Sequence, residues 1–330
     1  MVRQCSAFRP ASATTYAVAG RSLCVEALDE GSARLVGRYF RDWYVTPAAA
    51  ARPDATIRIR QGAEPPPAPR GLDSFALYEG GRCFTDGRTY HLDIEGSRVL
   101  FGGGADGAVE VWLDEWAAPT GQARAVFNAF SAATRRCGLF ELHSGCVVEP
   151  SGGRGLLLAG VSGSGKTTLT VQLARAGWGY LSDDVLLLSE AVGRVEARPL
   201  RRVFAATGAT VEAAGLPGRA AATTETKLRF APQDFFPGGF VESCLPEALC
   251  FPVVAHTTES RVVEVPPAEA LSRLLRMCPW ACYDRPTAAG YLRVLSLLAR
   301  RCASFELRAG TDLLVDPARA ARLLAPRVNG

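Results

Sequence analysis

The stretch "GLLLAGVSGSGKTTLTVQLARAG", Gly155 to Gly177, restricts the fold of this chain more than any other part of it. Within it, "GVSGSGKT" satisfies the pattern G-x-x-x-x-G-K-[ST], with an apolar run before it and a helix-forming run after it. Its residues are Gly160, Val161, Ser162, Gly163, Ser164, Gly165, Lys166 and Thr167, followed directly by Thr168. The order predicts a strand, a tight turn and a helix. Glycines let the backbone wrap with its N–H groups inward, where a side chain would hold an anion away. The helix that begins at the lysine turns its positive end to the same point. Lys166 then reaches the β- and γ-phosphates, and the Thr167 hydroxyl is placed to ligate Mg²⁺. The pattern reads as a site for ATP and Mg²⁺.

Composition narrows the remaining classes. The chain has 330 residues, 48% hydrophobic and 21% charged, enough for one large domain or two smaller ones. A net charge of +4 with no concentrated basic stripe argues against nucleic acid as a partner. The first twenty residues hold no continuous apolar segment, and no run approaches the roughly 20 apolar residues that span a bilayer. A soluble cytoplasmic protein is expected. The ten cysteines are scattered without a CxxC pair and there are only three histidines, so buried free thiols are expected rather than zinc.

Of the 37 basic residues only Lys166 and Lys227 are lysines. A chain so biased to arginine keeps lysine where a compact ammonium serves better than a planar guanidinium, as it does on phosphate. Lys227, in "TTETKLRF", is therefore a second candidate nucleotide contact, on what reads as a loop.

Along the chain, residues 1–116 alternate short apolar and polar stretches between Gly and Pro clusters, which predicts a smaller β-rich N-terminal domain. Residues 117–138 carry helical spacing up to Gly138 and read as a linking helix. In residues 139–330 strands and helices alternate, which argues α/β with a mostly parallel or mixed sheet. There "LFELHSGCVVE", "RGLLLAG", "ALCFPVVAH" and "SFELRAGTDLL" read as strands; "PPAEALSRLLRM", "AAGYLRVLSLLARRC" and "DPARAARLLAP" read as helices.

Two adjacent carboxylates, Asp183 and Asp184 in "GWGYLSDDVLLL", follow the glycine-rich loop after one helix. Carboxylates so close do not both stay ionised cheaply unless a cation lies between them. In order and spacing, "LHSGCVV" (Leu142 to Val148), "GVSGSGKTTLT" and "GWGYLSDDVLLL" resemble the catalytic core of HPr kinase/phosphorylase. The loop and double aspartate also resemble ATP-dependent phosphoenolpyruvate carboxykinase, whose nucleotide core is related. The likeness is sharp over some 50 residues and looser toward the C-terminus.

The resemblance implies an α/β P-loop kinase domain of HPr kinase type. It further implies that Asp184 accepts the proton of an attacking hydroxyl, that Asp183 and Thr167 hold Mg²⁺, and that His143 tunes the base. Lys166 would stabilise the developing charge. The family's Glu-Ile-Arg-Gly core has only "VEARPL" to match it, at Glu196 and Arg198, so phosphorylase activity is not implied. Arg198, Arg201 and Arg202, in "RPLRR", read as a solvated basic strand or as contacts to nucleotide or acceptor. "DFFPGGF", Asp234 to Phe240, reads as a mobile closing loop or as packing against the core.

The expected chemistry is ATP-dependent phosphoryl transfer to a hydroxyl. A Ser or Thr of a peptide or small protein is the leading acceptor, as in tailoring kinases of ribosomally made peptides such as lasso peptides. A small metabolite, or a nucleotide-binding regulatory module without turnover, are the alternatives, and a homo-oligomer is left open. No N-K-x-D pattern is present for reading guanine.

Overall fold

The computed structural model of the chain describes residues 10–49, 52–67, 71–77, 80–103, 106–216, 221–222 and 227–329. It divides into two units, Met1–Leu139 with Asp284–Thr287, and Phe140–Tyr283 with Ala288–Gly330.

In the first unit the strands are Ser12–Val18 (β1), Arg21–Ala27 (β2), Thr46–Pro47 (β3), Ala55–Gln61 (β4), Asp73–Ala76 (β5), Arg82–Thr85 (β6), Tyr90–Ile94 (β7), Ser97–Phe101 (β8) and Val109–Leu113 (β9). They form one sheet in the order β3-β1-β2-β4-β9-β8-β7-β6-β5, parallel only at β2–β4 and β4–β9. Period-2 patterning builds it: β4, "ATIRIRQ", buries Ile57 and Ile59 and turns Arg58 and Arg60 to the other face. Hairpins between β1 and β2 and between β7 and β8 turn through Ala19-Gly20 and Glu95-Gly96, with positive φ at both central residues as a type I′ turn requires.

The helices Glu30–Phe40 (α1) and Pro119–Arg136 (α2) belong to this unit. Sequence periodicity indicated α2 but not α1. Asp29 nucleates α1, its carboxylate accepting from Ser32 N at 2.7 Å while the Ser32 hydroxyl reaches back. Phe40, Trp43 and Phe130 then stack together, with ring centroids 4.7–6.1 Å apart. Near the end of α2, Arg135 and Asp284 form a fully buried ion pair at 3.1 Å, and Arg136 also reaches Asp284 at 3.3 Å.

The second unit contains strands Phe140–Val148 (β10), Gly155–Ala159 (β11), Gly179–Ser182 (β12), Val185–Ala191 (β13), Arg194–Pro199 (β14), Phe204–Thr207 (β15), Ala221–Ala222 (β16), Lys227–Phe230 (β17), Pro246–Val254 (β18), Arg261–Glu264 (β19) and Ala303–Ala309 (β20). Its helices are Lys166–Arg175 (α3), Gly208–Ala213 (α4), Pro267–Met277 (α5), Trp280–Tyr283 (α6), Arg285–Arg301 (α7, whose first turn belongs to the first unit), Asp312–Val315 (α8) and Pro317–Asn329 (α9).

The main sheet runs β14-β13-β10-β11-β18-β20-β19, with β12 also paired to β10, while β15, β17 and β16 form a small separate sheet. The fold is mixed α/β: β11, β18 and β20 are mutually parallel and the other pairings are antiparallel. Leu156, Leu158, Leu169, Leu173, Trp178, Tyr180, Phe305 and Leu324 share its core. "SFELRAGTDLL" is not one strand: β20 stops at Ala309 and Asp312 opens a helical turn. The break falls at Gly310, where a Cβ would lie 2.8–2.9 Å from backbone atoms of Glu259, Thr257 and Thr258. Among the described residues no helix is long and apolar enough to cross a membrane.

Candidate active site

The glycine-rich turn joins β11 to α3, as the sequence pattern requires. Gly163 and Gly165 take φ of 83° and 96°, the left-handed region that side chains avoid. Gly160 is a glycine for a different reason: a Cβ there would meet Ser164 Oγ at 2.6 Å. A Schellman turn ends α3, with Gly177 N donating to Ala174 O at 3.1 Å and Trp178 N to Leu173 O at 3.0 Å.

Val161, Ser162 and Gly163 form the exposed tip of the turn, and Ser164 Oγ is buried without a hydrogen-bond partner. Lys166 is buried, and its Nζ donates to Gly160 O at 2.8 Å and Val161 O at 2.9 Å. Burial pushes its pKa down to about 8; the charge of Lys227 adds to the fall, and Asp184 and Asp183 oppose it. The ammonium thus bridges two carbonyls of its own loop. Thr168 is engaged elsewhere, its hydroxyl 2.7 Å from that of Thr210 in α4.

The aspartates owe their place to β10. Its ladder with β12 pairs Cys146 with Ser182, and its ladder with β13 pairs His143 with Val185. Both pairings keep one register, so Asp183 and Asp184 fall opposite Gly145 and Ser144, where the ladder lapses. Gly145 lets the strands and α3 close: a Cβ there would lie 2.8 Å from Thr170 Oγ1 and 3.4 Å from Ser182 O.

Asp183 is buried, and its Oδ2 accepts from Thr167 Oγ1 at 2.9 Å and from Ala205 N at 3.2 Å, while Oδ1 is buried with no hydrogen-bond partner. Asp184 is partly exposed; its Oδ1 lies 3.0 Å from His143 Nδ1 and its Oδ2 lies 3.2 Å from Arg201 Nε. These surroundings drive the two carboxyls apart. Burial, and then the charge of Asp184, push Asp183 up to about 6. At Asp184 the upward push of burial is outweighed by His143 and Arg201, with help from Lys166, and its pKa lies well below the usual carboxylate range.

Asp183, Asp184, His143, Lys166 and Thr167 therefore come together. Lys227 opens β17, paired with Thr207, rather than standing in a loop; residues 223–226 before it lie outside the described set. Glu196 and Arg198 occupy each other along β14 at 3.0 and 3.1 Å. In "RPLRR", Arg201 reaches Asp184, a partnership without any signal in local sequence. "DFFPGGF" packs: Tyr180 N donates to Gly239 O at 2.8 Å, and Tyr180 has Phe236 and Phe240 as ring neighbours at 6.1 and 6.2 Å.

No group of three or more His, Cys, Asp or Glu suited to a metal occurs among the described residues. The fit to Mg²⁺ is of another kind. This ion is commonly held by one or two protein oxygens plus substrate phosphates and water, and the bare, buried Asp183 Oδ1 beside the Thr167 hydroxyl is such a partial set.

No protein-family model matches the chain, and neither does any curated protein. Among solved structures it is similar to the HPr(Ser) kinase/phosphatase from Coxiella burnetii, at 11% identity and a TM-score of 0.30, over 58% of this chain and 99% of that one. Likeness at that level is distant and assigns no activity; the geometry of the aspartates and the glycine-rich turn stands on its own.

Proposed function

We propose that the second unit is an ATP-dependent kinase that transfers the γ-phosphoryl group to a hydroxyl, a Ser or Thr of a peptide or small protein. The observation that carries this reading is the 2.9 Å contact between Thr167 and Asp183. It joins a loop suited to phosphates to a carboxylate pair with divided proton affinities. The acceptor class rests on the resemblance of "LHSGCVV", the glycine-rich loop and "GWGYLSDDVLLL" to HPr kinase/phosphorylase.

Each side chain then has a task. Backbone N–H groups of the turn and Lys166 bind and orient the phosphates, Lys166 giving up the carbonyls of Gly160 and Val161 to do so. Asp183 and Thr167 would hold Mg²⁺, which when bound neutralises charge on the β- and γ-oxygens. Asp184, kept ionised and oriented by His143 and Arg201, takes the hydroxyl proton. The acceptor oxygen bonds to the γ-phosphorus as the bond to ADP breaks, and ADP leaves with that electron pair.

The test supplies γ-labelled ATP and Mg²⁺ to the pure protein in extract from its own source, beside an Asp184→Asn control. Label entering a macromolecule with wild type alone supports the proposal, and label in the small-molecule fraction replaces the acceptor with a metabolite. Equal labelling by wild type and variant removes the catalytic reading.

A further inference from the structure

The glycine-rich turn has two flanks, and only one is occupied by the aspartates. In the sheet order, β11 lies between β10 and β18. Asp183 and Asp184 hang from the β10 side. If the reacting end of a nucleoside triphosphate points there, its nucleoside leaves the turn on the β18 side.

That side is shaped. β18 runs parallel to β11, with Leu158 opposite Cys250, and continues past the end of β11 through Pro252, Val253 and Val254. It follows the turn closely: Pro252 O lies 3.7 Å from a Cβ position at Gly160, and Val254 Cγ2 lies 3.7 Å from one at Gly165. Yet Val254 remains 52% exposed and Val161, in the turn itself, 58% exposed. Residues 252–258, "PVVAHTT", carry no lysine, arginine or carboxylate. Apolar at Val253 and Val254, with His256, Thr257 and Thr258 following, such an edge suits the flat face of a base better than a charged peptide.

The edge is also held rigidly. Ala255 N donates to Ala309 O at 2.8 Å, and Thr311 N and Asp312 N donate to Thr257 O and Thr258 O, both at 3.0 Å. Both carboxylate oxygens of Asp312 accept from Ser260, from its N at 3.1 Å and its Oγ at 2.5 Å. A segment fixed at so many points keeps Val254 in place without a ligand, as a preorganised contact needs.

We propose that Val254 and Val161 form the seat for the base of the nucleotide, so that the β18 edge distinguishes ATP from bare polyphosphate. This rests on the reading that the turn takes the phosphates, and the experiment separates the two. Calorimetry measures Mg²⁺-ATP and Mg²⁺-tripolyphosphate binding to wild type, Val254→Asn and Val254→Ala, both neutral so that neither repels phosphate. Wild type is expected to prefer ATP, and Val254→Asn to reduce that preference about fivefold by losing apolar contact, with tripolyphosphate unchanged. Val254→Ala should fall between them, and unchanged melting temperatures show that the variants are folded.

An ATP preference unaltered by Val254→Asn overturns the seat, and so does wild type binding the two ligands equally. Failure of wild type to bind either ligand removes the phosphate reading as well.

Discussion

Thr167 Oγ1 donates to Asp183 Oδ2 across 2.9 Å, tying the first turn of α3 to the gap between β12 and β13. On the proposed function, the bond would make metal and phosphate binding interdependent. Thr167→Val and Asp183→Asn should each lower Mg²⁺-dependent turnover by at least about a hundredfold. They should part in stability. A raised pKa means that the Asp183 charge disfavours the metal-free fold: its stabilising proton is fully present below the unfolded value and is lost as pH rises through about 6. At pH 7.5 without metal, Asp183→Asn should therefore melt no lower than wild type, as scanning calorimetry would show.

Lys166 gives a pH dependence of opposite chemical sense. Its pKa is depressed to about 8, so below that pH the ammonium is already formed and binding requires no proton. Above it the neutral amine prevails, and a polyphosphate must draw a proton onto it. ATP affinity should hold up to about pH 8 and decline beyond. In Lys166→Arg, whose guanidinium does not titrate in this range, affinity should fall but the slope should vanish.

Arg201 and His143 hold Asp184 ionised, so removing either lets its pKa rise. Because that rise starts well below the usual carboxylate range, Asp184 should stay ionised in Arg201→Met at neutral pH, and turnover should fall through lost orientation by a similar factor across roughly pH 6 to 9, as a turnover profile of the variant would show.

Gly145 is where α3, β10 and the aspartate gap meet. Gly145→Ala sets a methyl 2.8 Å from Thr170 Oγ1, costing about 1–3 kcal/mol. Removing the obstructing oxygen in the double variant Gly145→Ala/Thr170→Ala should recover part of both stability and turnover, as urea titration and a rate assay would record.

In the first unit, Asp284→Ala would take the carboxylate partner from the buried guanidinium of Arg135. The expected loss is about 3–5 kcal/mol, and an apolar pair at both positions should restore most of it. Amide exchange in α2 measures the effect.

How much of this was readable in advance depends on whether the signal was local. The turn, α3 and its end were legible because Gly160, Gly163, Gly165 and Gly177 each answer a steric demand within a few residues. The strand before the turn was legible from its unbroken apolar run. Helix α1 escaped notice because Gly31 and Gly37 dilute its pattern, and its stability comes from the Asp29–Ser32 cap and from Phe40 packing on residues far along the chain. The aspartate pair was visible, but not the division of its proton affinities, which depends on His143 and Arg201 arriving from either side. Lys227 was singled out by its rarity; its position on a strand was hidden by the small, turn-like residues before it. Arg201 could not be told from Arg198, since only the fold commits one to Glu196 and the other to Asp184.

The common register of the Cys146–Ser182 and His143–Val185 pairs works as a ruler, the β12 ladder slipping by one residue only beyond Cys146. Two residues bridge the interval from Ser182 to Val185, matching the two from Cys146 back to His143. One residue more or fewer would exchange the faces of everything that follows. His143 would then no longer meet Asp184, and Thr167 would no longer meet Asp183. The interval holds Asp183 and Asp184 on one side and Ser144 and Gly145 on the other, so its length is as constrained as its residues. A relative of this chain that keeps the chemistry should thus be recognisable by a conserved distance between strands even where the letters around it have changed.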